Sequence, residues 1–209
     1  MEKYILDANL FFNMEAGIGL GKKTNDVIGE IISYGTKLKG KAELLMPPTA
    51  VDEFLSFFPD KDQPQLKQLL SIVVVRSPDK NKQNFSSMVF YQLIDEIRKR
   101  SYRGLNLGEE EIEKAGRLLM GESNLDKKDF EIKIGAVIKK FRERYRQATR
   151  TGFLDSVTDL DLIVLAKETD GFLVSADEGV IYWGRLFGVK EVRPPAFRAR
   201  LDSLLGHQG

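Results

Sequence analysis

From about residue 86 to 149 no stretch reads as a strand, whereas short apolar runs on either side do, and this contrast constrains the fold more than any other feature. Before it, Lys3-Tyr4-Ile5-Leu6 predicts a buried strand ending at Asp7. A helix follows over about 25–38, with Thr24 as its expected N-cap, Val27, Ile28, Ile31, Ile32 and Leu38 at helical spacing, and Gly40 as its stop. A second strand is expected at about 43–46, then a helix capped by Thr49 and running to Pro59, then a short helix at 64–70. Ile72-Val73-Val74-Val75 fits a buried parallel strand. The order β-α-β-α-α-β points to an α/β domain with a parallel sheet.

Within 86–149 the spacing is helical throughout: Val89, Phe90, Leu93, Ile94 and Ile97, then Ile112, Ala115, Leu118 and Leu119, then Phe130, Ile134, Val137, Ile138 and Phe141. Two or three helices are expected, with breaks near Gly104 and Gly121. Alternation then resumes: a helix at 155–168, a strand at 171–175, a helix at 178–187, a short strand near 190–193, a break at Pro194-Pro195 and a final helix at 196–205. The expected organisation is one domain from 1–85 and 150–209, interrupted by a helical insertion at 86–149.

Composition narrows the chemistry. The chain has no cysteine and one histidine, His207, read as a tail residue, so thiolate metal sites, cysteine nucleophiles and a Ser-His-Asp triad are excluded. Carboxylates, lysines, hydroxyls and hard metal ions remain. The net charge of +1 over 209 residues announces no polyanionic partner, and no apolar stretch is long enough for a signal peptide or membrane span, so the cytoplasm is the default expectation.

Acidic residues fall where an open parallel sheet binds ligands, just beyond the carboxyl ends of its strands. Asp7 directly follows the first strand, and Asp177 lies two residues beyond the strand ending at Ser175. Asp155 and Asp159, at i and i+4, would share one side of a helix. Each alone also reads as a turn former or cap: Asp177 for its own helix, Asp155 for the one before it. Gathered in one cleft they would repel unless a divalent cation joined them, and oxygen-only ligation suits Mg²⁺ or Mn²⁺. Asp161, about 200° around the helix from Asp159, is expected to face away and to be structural.

Ile5-Leu6-Asp7-Ala8-Asn9, Thr49-Ala50-Val51-Asp52-Glu53-Phe54 and the stretch from Asp159 through Ile163-Val164-Leu165-Ala166-Lys167-Glu168 to Leu173-Val174-Ser175-Ala176-Asp177 together resemble the PIN-domain nucleases. The resemblance implies a three-layer α/β domain with a central, mainly parallel sheet, and places Glu53 at the family's second acid. The size, the helical insertion and the paired Asp155 and Asp159 are similar to the minimal protein-only RNase P family (HARP, once labelled RNA ligase partner). That likeness implies Asp7, Asp155, Asp159 and Asp177 as catalytic, metal-holding acids, with Glu53 as a further ligand. It also implies a metal-dependent endoribonuclease that removes the 5′ leader of precursor tRNA without an RNA subunit, leaving 5′-phosphate and 3′-hydroxyl ends, and a homo-oligomer built from dimers. Rival readings are a PIN nuclease acting on another RNA, or an inactive RNA-binding partner of an RNA ligase.

Basic residues add a separate argument. Lys139, Lys140, Arg142, Arg144, Arg146 and Arg150 lie within twelve residues, and Arg98, Lys99, Arg100 and Arg103 form a second cluster. If the insertion helices are antiparallel, both clusters lie at one end, near the catalytic cleft. Arg98, Lys99, Arg103, Arg142, Arg144, Arg146 and Arg150 are then candidates for binding RNA phosphates, although solvated charged helix faces are common. Tyr102 and Tyr145 are available to stack. Gly17-Ile18-Gly19-Leu20-Gly21-Lys22 matches neither the dinucleotide fingerprint nor a P-loop and is read as a connection. The apolar residues of the insertion exceed what a small protrusion can bury, which predicts self-association into at least a homodimer.

Overall fold

The computed structural model describes residues 1–13, 19–81, 83–121, 125–150, 152–154 and 156–206. Asp155, His207 and the Gly17-Ile18 start of the glycine-rich connection lie outside them. The chain divides into two units, 1–85 with 154–209, and 86–153.

The first unit is built on a five-stranded sheet, β1 (Glu2–Leu6), β2 (Ala42–Met46), β3 (Val74–Val75), β4 (Phe172–Val174) and β5 (Lys190–Val192), in the order β3-β2-β1-β4-β5. Every pairing is parallel. The winding runs outward from β1 to β3, then reverses and continues at β4 on the other side of β1. The carboxyl ends of β1 and β4 therefore flank a topological switch point, where open α/β sheets place their ligands. Tyr4, Ile5, Leu6, Leu173 and Val174 are buried, as a central parallel sheet covered by helices requires. β3 is the exception. Val74 and Val75 are exposed, because the strand is two residues long and lies at the sheet edge, so the expectation of a buried strand at 72–75 fails there.

The helices of this unit are α1 (Thr24–Lys37), α2 (Pro48–Ser56), α3 (Pro64–Ile72), α6 (Val157–Thr169), α7 (Glu178–Leu186) and α8 (Pro194–Leu205). α1 packs on α3, and α6 packs on α2, α7 and β1. Several caps differ from the sequence reading. Thr24 is the first residue of α1 and Lys23 its cap, while α2 starts at Pro48 with Pro47 as cap. Pro194-Pro195 opens α8 instead of separating it from the strand, because proline at the first helical turn lacks only an N–H that would have had no intrahelical partner. α6 begins at Val157 with Ser156 as N-cap, whose Oγ accepts from the Asp159 N–H at 3.0 Å. The expected i,i+4 pairing of Asp155 with Asp159 falls on a residue outside the described ones. Asp161 to Ala166 are buried without interruption, so the middle of α6 is covered on all sides, while Val157 and Leu160 of its first turn are exposed.

The second unit is a hairpin of α4 (Met88–Leu119) and α5 (Lys127–Arg150). Gly104 does not break the first helix. It lies buried within α4, where an added Cβ would come 2.7 Å from the Tyr145 ring, so its missing side chain admits that ring. Arg100 Nε donates to the Thr149 carbonyl at 3.0 Å, and Arg144 reaches Glu110 and Glu111. These contacts make the pair antiparallel, with residues 98–103 beside the end of α5.

Gly35 controls how α1 meets α3: a Cβ there would lie 2.2 Å from Ile72 Cγ2. Gly35→Ala should gain about 1 kcal/mol of helix propensity and lose more, of order 1–3 kcal/mol, to overpacking. A urea midpoint lower than wild type is expected; a higher one would mean that Ile72 moves aside at no cost.

Candidate active site

Asp7 ends β1 and caps a 3-10 turn over Ala8–Phe11. Its backbone N–H donates to the Val174 carbonyl at 3.1 Å, which ties the ends of β1 and β4 together. The carboxylate is 2 % exposed. Asn9 N–H donates to Oδ1 at 3.0 Å and Ser175 Oγ donates to Oδ2 at 2.5 Å. The same Ser175 oxygen accepts the Asp177 N–H at 3.0 Å, so one buried hydroxyl links the acid after β1 to the acid after β4. Asp177 caps α7 with Oδ1, which accepts from Gly179 and Val180 N–H at 2.6 and 3.2 Å. Oδ2 makes no hydrogen bond among the described residues. The capping reading of Asp177 is thus correct, and it leaves one oxygen for other use.

Burial pushes the Asp7 carboxyl up to about 6, against the pull of its two hydrogen bonds, and the charges of Glu53 and Asp177 add to the rise. Glu53, half-buried on α2, is raised by desolvation and by the charge of Asp159. These couplings join Asp7 to Glu53 and Asp177, and Glu53 to Asp159. The sequence alone left Glu53 open between a site acid and an exposed helix residue; its electrostatic environment is that of the other acids. Even so, no group of three or more carboxylates among the described residues is close enough to cage an ion. The fit to a divalent cation rests on donor chemistry: all-oxygen groups, with Asp7 and Glu53 desolvated and acted on by neighbouring carboxylates.

Asp161 also reaches α2. It is buried, accepts from Thr49 Oγ1 at 3.1 Å and pairs with Lys80 Nζ at 3.0 Å. Thr49, expected as a helix cap, instead bonds α2 to α6.

In the second unit, Arg98, Arg103, Arg142 and Arg146 are exposed and pair with no acid among the described residues. Lys99 pairs with Asp95 and Glu96, and Arg144 with Glu110 and Glu111. Arg100, which sequence reasoning grouped with the exposed bases, is buried and lies over the Phe153 ring at 4.5 Å. Arg150 is exposed on the last turn of α5.

An all-parallel sheet with Asp7 after β1 and Asp177 after β4 at its switch point is the arrangement that the resemblance to the PIN-domain nucleases implies, and residues 3–206 match the family described as PINc domain ribonuclease. The chain is 33% identical over 205 residues to the RNA-free ribonuclease P of Pyrococcus furiosus, covering 98% of this chain and 95% of that one. It is 31% identical over 204 residues to that of Thermococcus kodakarensis, covering 97% and 96%. Against that of Nitrosococcus oceani it is 33% identical over 205 residues, covering 98% and 96%. The chain belongs to the RNA-free ribonuclease P family of PIN-domain ribonucleases.

The raised Asp7 carboxyl has a measurable consequence. A group whose folded pKa exceeds its unfolded value binds its proton more tightly in the folded state. The stability it contributes is present at low pH and lost as pH rises from about 4 through about 6. The metal-free wild type should therefore lose on the order of 3 kcal/mol relative to Asp7→Asn between pH 4 and pH 7. Urea unfolding of both proteins in EDTA at the two pH values tests this, and a difference independent of pH would show an unperturbed carboxyl.

Proposed function

We propose that this chain is a protein-only RNase P, a divalent-metal-dependent endoribonuclease that removes the 5′ leader of precursor tRNA without an RNA subunit. The observation that carries the reading is the buried Asp7, whose carboxyl is raised by burial and by Glu53 and Asp177 beside it, at the switch point of a PIN-family sheet. Asp7, Asp159 and Asp177 would hold Mg²⁺ or Mn²⁺, with Glu53 as a further ligand and Asp155 joining them from outside the described residues. A cation bound there supplies Lewis acidity, bringing the pKa of water toward neutrality and offsetting the charge on the phosphate.

The chain's own part is positional. Ser175 fixes the Asp7 carboxylate from one side and Asn9 from the other, so its oxygens keep one orientation. The first turn of α7 fixes Asp177 through Oδ1. Water attacks the phosphorus in line with the departing 3′ oxygen, leaving a 3′-hydroxyl on the leader and a 5′-phosphate on the tRNA. No histidine base is needed. Arg98, Arg103, Arg142 and Arg146, which pair with no acid among the described residues, would neutralise phosphates of the substrate together with the exposed Arg150, and Arg144 and Lys99, engaged by neighbouring acids, serve the hairpin first.

Self-association of the hairpin belongs to the same reading. Ile112, Leu118, Phe130, Ile132 and Ile138 are exposed on it, and a cleft of about 260 Å³ between its helices is lined by Ile112, Ile134, Val137 and Phe141. A homodimer built through these side chains, and a larger assembly of such dimers, would cover them. Among the described residues no helix is long and apolar enough to cross a membrane, and a cytoplasmic location is proposed.

Cleavage of 5′-labelled precursor tRNA tests the activity. One cut at the mature 5′ end is expected with Mg²⁺, none with EDTA, and at least ~100-fold less with Asp7→Asn or Asp159→Asn. Metal-dependent cutting elsewhere would reassign the substrate, and tight binding with no cutting would leave a scaffold. Light scattering at micromolar concentration should give a dimer or larger; a strict monomer would refute the assembly.

A further inference from the structure

Phe12 follows Asp7 by one 3-10 turn, and Phe54, Phe57 and Phe58 follow Glu53 at the end of α2, rings that catalysis does not use. Phe12, which follows the 3-10 turn capped by Asp7, lies 4.1 Å from Phe57 between ring centroids, with ring planes 32° apart. It also lies 5.7 Å from Phe54 and 5.8 Å from Phe58. Phe54 is buried and anchors the group, while Phe57 is 55% exposed. Phe57 is the C-cap of α2 and keeps right-handed helical angles (φ −79°, ψ −9°). It therefore stands one helical turn beyond Glu53, on the same side of α2. The core does not need a phenylalanine this exposed, whereas a nuclease that cuts next to unpaired nucleotides gains from a ring face beside its acids.

We propose that Phe57, backed by Phe12, is a stacking ledge for an unpaired nucleobase of the RNA adjoining the scissile phosphate. The proposal rests on the nuclease reading above and deepens it. Glu53 and Phe57 share one side of a single helix, so a strand whose phosphate lies at the acids passes its neighbouring base over the ring. The contact is with a π-face, which every base presents, so it supports positioning without reading sequence. Phe57 is then a positioning residue: it holds the strand in register with the acids and touches no reacting atom.

The test uses the full-length protein and precursor tRNA carrying 2-aminopurine in the leader beside the cleavage site, with a second substrate abasic at that position. Wild type should quench the 2-aminopurine on binding; Phe57→Leu, which keeps an apolar side chain against Phe12, should not, and Phe57→Trp should. Cleavage of the ordinary substrate should fall roughly tenfold in Phe57→Leu and be retained in Phe57→Trp. The abasic substrate should lose the same factor with wild type and nothing further with Phe57→Leu. Equal losses by Phe57→Leu on both substrates, or quenching that survives it, would overturn the ledge while leaving the nuclease intact. Quenching that depends on Phe57 without any cleavage would support the ledge and refute the RNase P activity instead.

Discussion

The hydrogen bond from Ser175 Oγ to Asp7 Oδ2 is the contact on which the site depends. An ionised carboxylate with 2 % exposure is costly unless its oxygens are occupied. Each Asp7 oxygen has one donor, Asn9 N–H or Ser175 O–H. Because Ser175 also accepts from Asp177 N–H, the hydroxyl that neutralises part of the cost at β1 also sets where the β4–α7 turn begins. The turn in its own way fixes Asp177 through the first N–H groups of α7. Two strands adjacent only in space thus present two acids at a fixed relation, through one side chain. The compensation is incomplete, and the residue of it is seen in the carboxyl raised to about 6.

The other two acids are related by a different device. Glu53 on α2 and Asp159 on α6 repel, as the raised Glu53 carboxyl records. α2 and α6 nonetheless stay packed, because Thr49, one turn before Glu53, donates to Asp161, two residues after Asp159. Lys80 balances the Asp161 charge. Through Thr49, Asp161 thus bears on the spacing of two candidate ligands. A buried polar pair of this kind, with both partners satisfied, fixes one helix-to-helix arrangement where apolar contacts alone would permit several.

How much of this could be read in the sequence follows from the range of the interactions involved. Strand β1 with Asp7 at its end, the capping Asp177 and the long helical stretch are local signals, and all three appear where apolar periodicity and turn chemistry place them. The family resemblance supplied Glu53, which no local pattern separates from an ordinary helix surface residue. What escaped were features decided by a distant partner. Val74 and Val75 look like core residues until the sheet ends beside them. Gly104 looks like a helix break until Tyr145 of the facing helix fills its missing side chain. Thr49 looks like a cap until Asp161, 112 residues away, takes its hydroxyl. The ring cluster of Phe12, Phe57 and Phe58 forms only once the turn after β1 packs on α2, which no local pattern announces.

The net charge of +1 misleads for a related reason. A sum over the chain cancels the acids of one unit against the arginines carried by the other. It also counts Arg144 and Lys99, whose charges Glu110, Glu111 and Asp95 already offset, on the same footing as Arg98, Arg103, Arg142 and Arg146. Only the unpaired cations keep an outward field, and screening confines it to about 10 Å at ordinary salt. A polyanion approaching either unit meets that local field and never the sum. A cationic side chain packed beside Asp7 or Glu53 would lower their carboxyl pKa values, whereas the neighbouring charges that act on them are carboxylates and raise them. The chain's near-neutrality is therefore compatible with local fields of opposite sign, each felt only within its own surroundings.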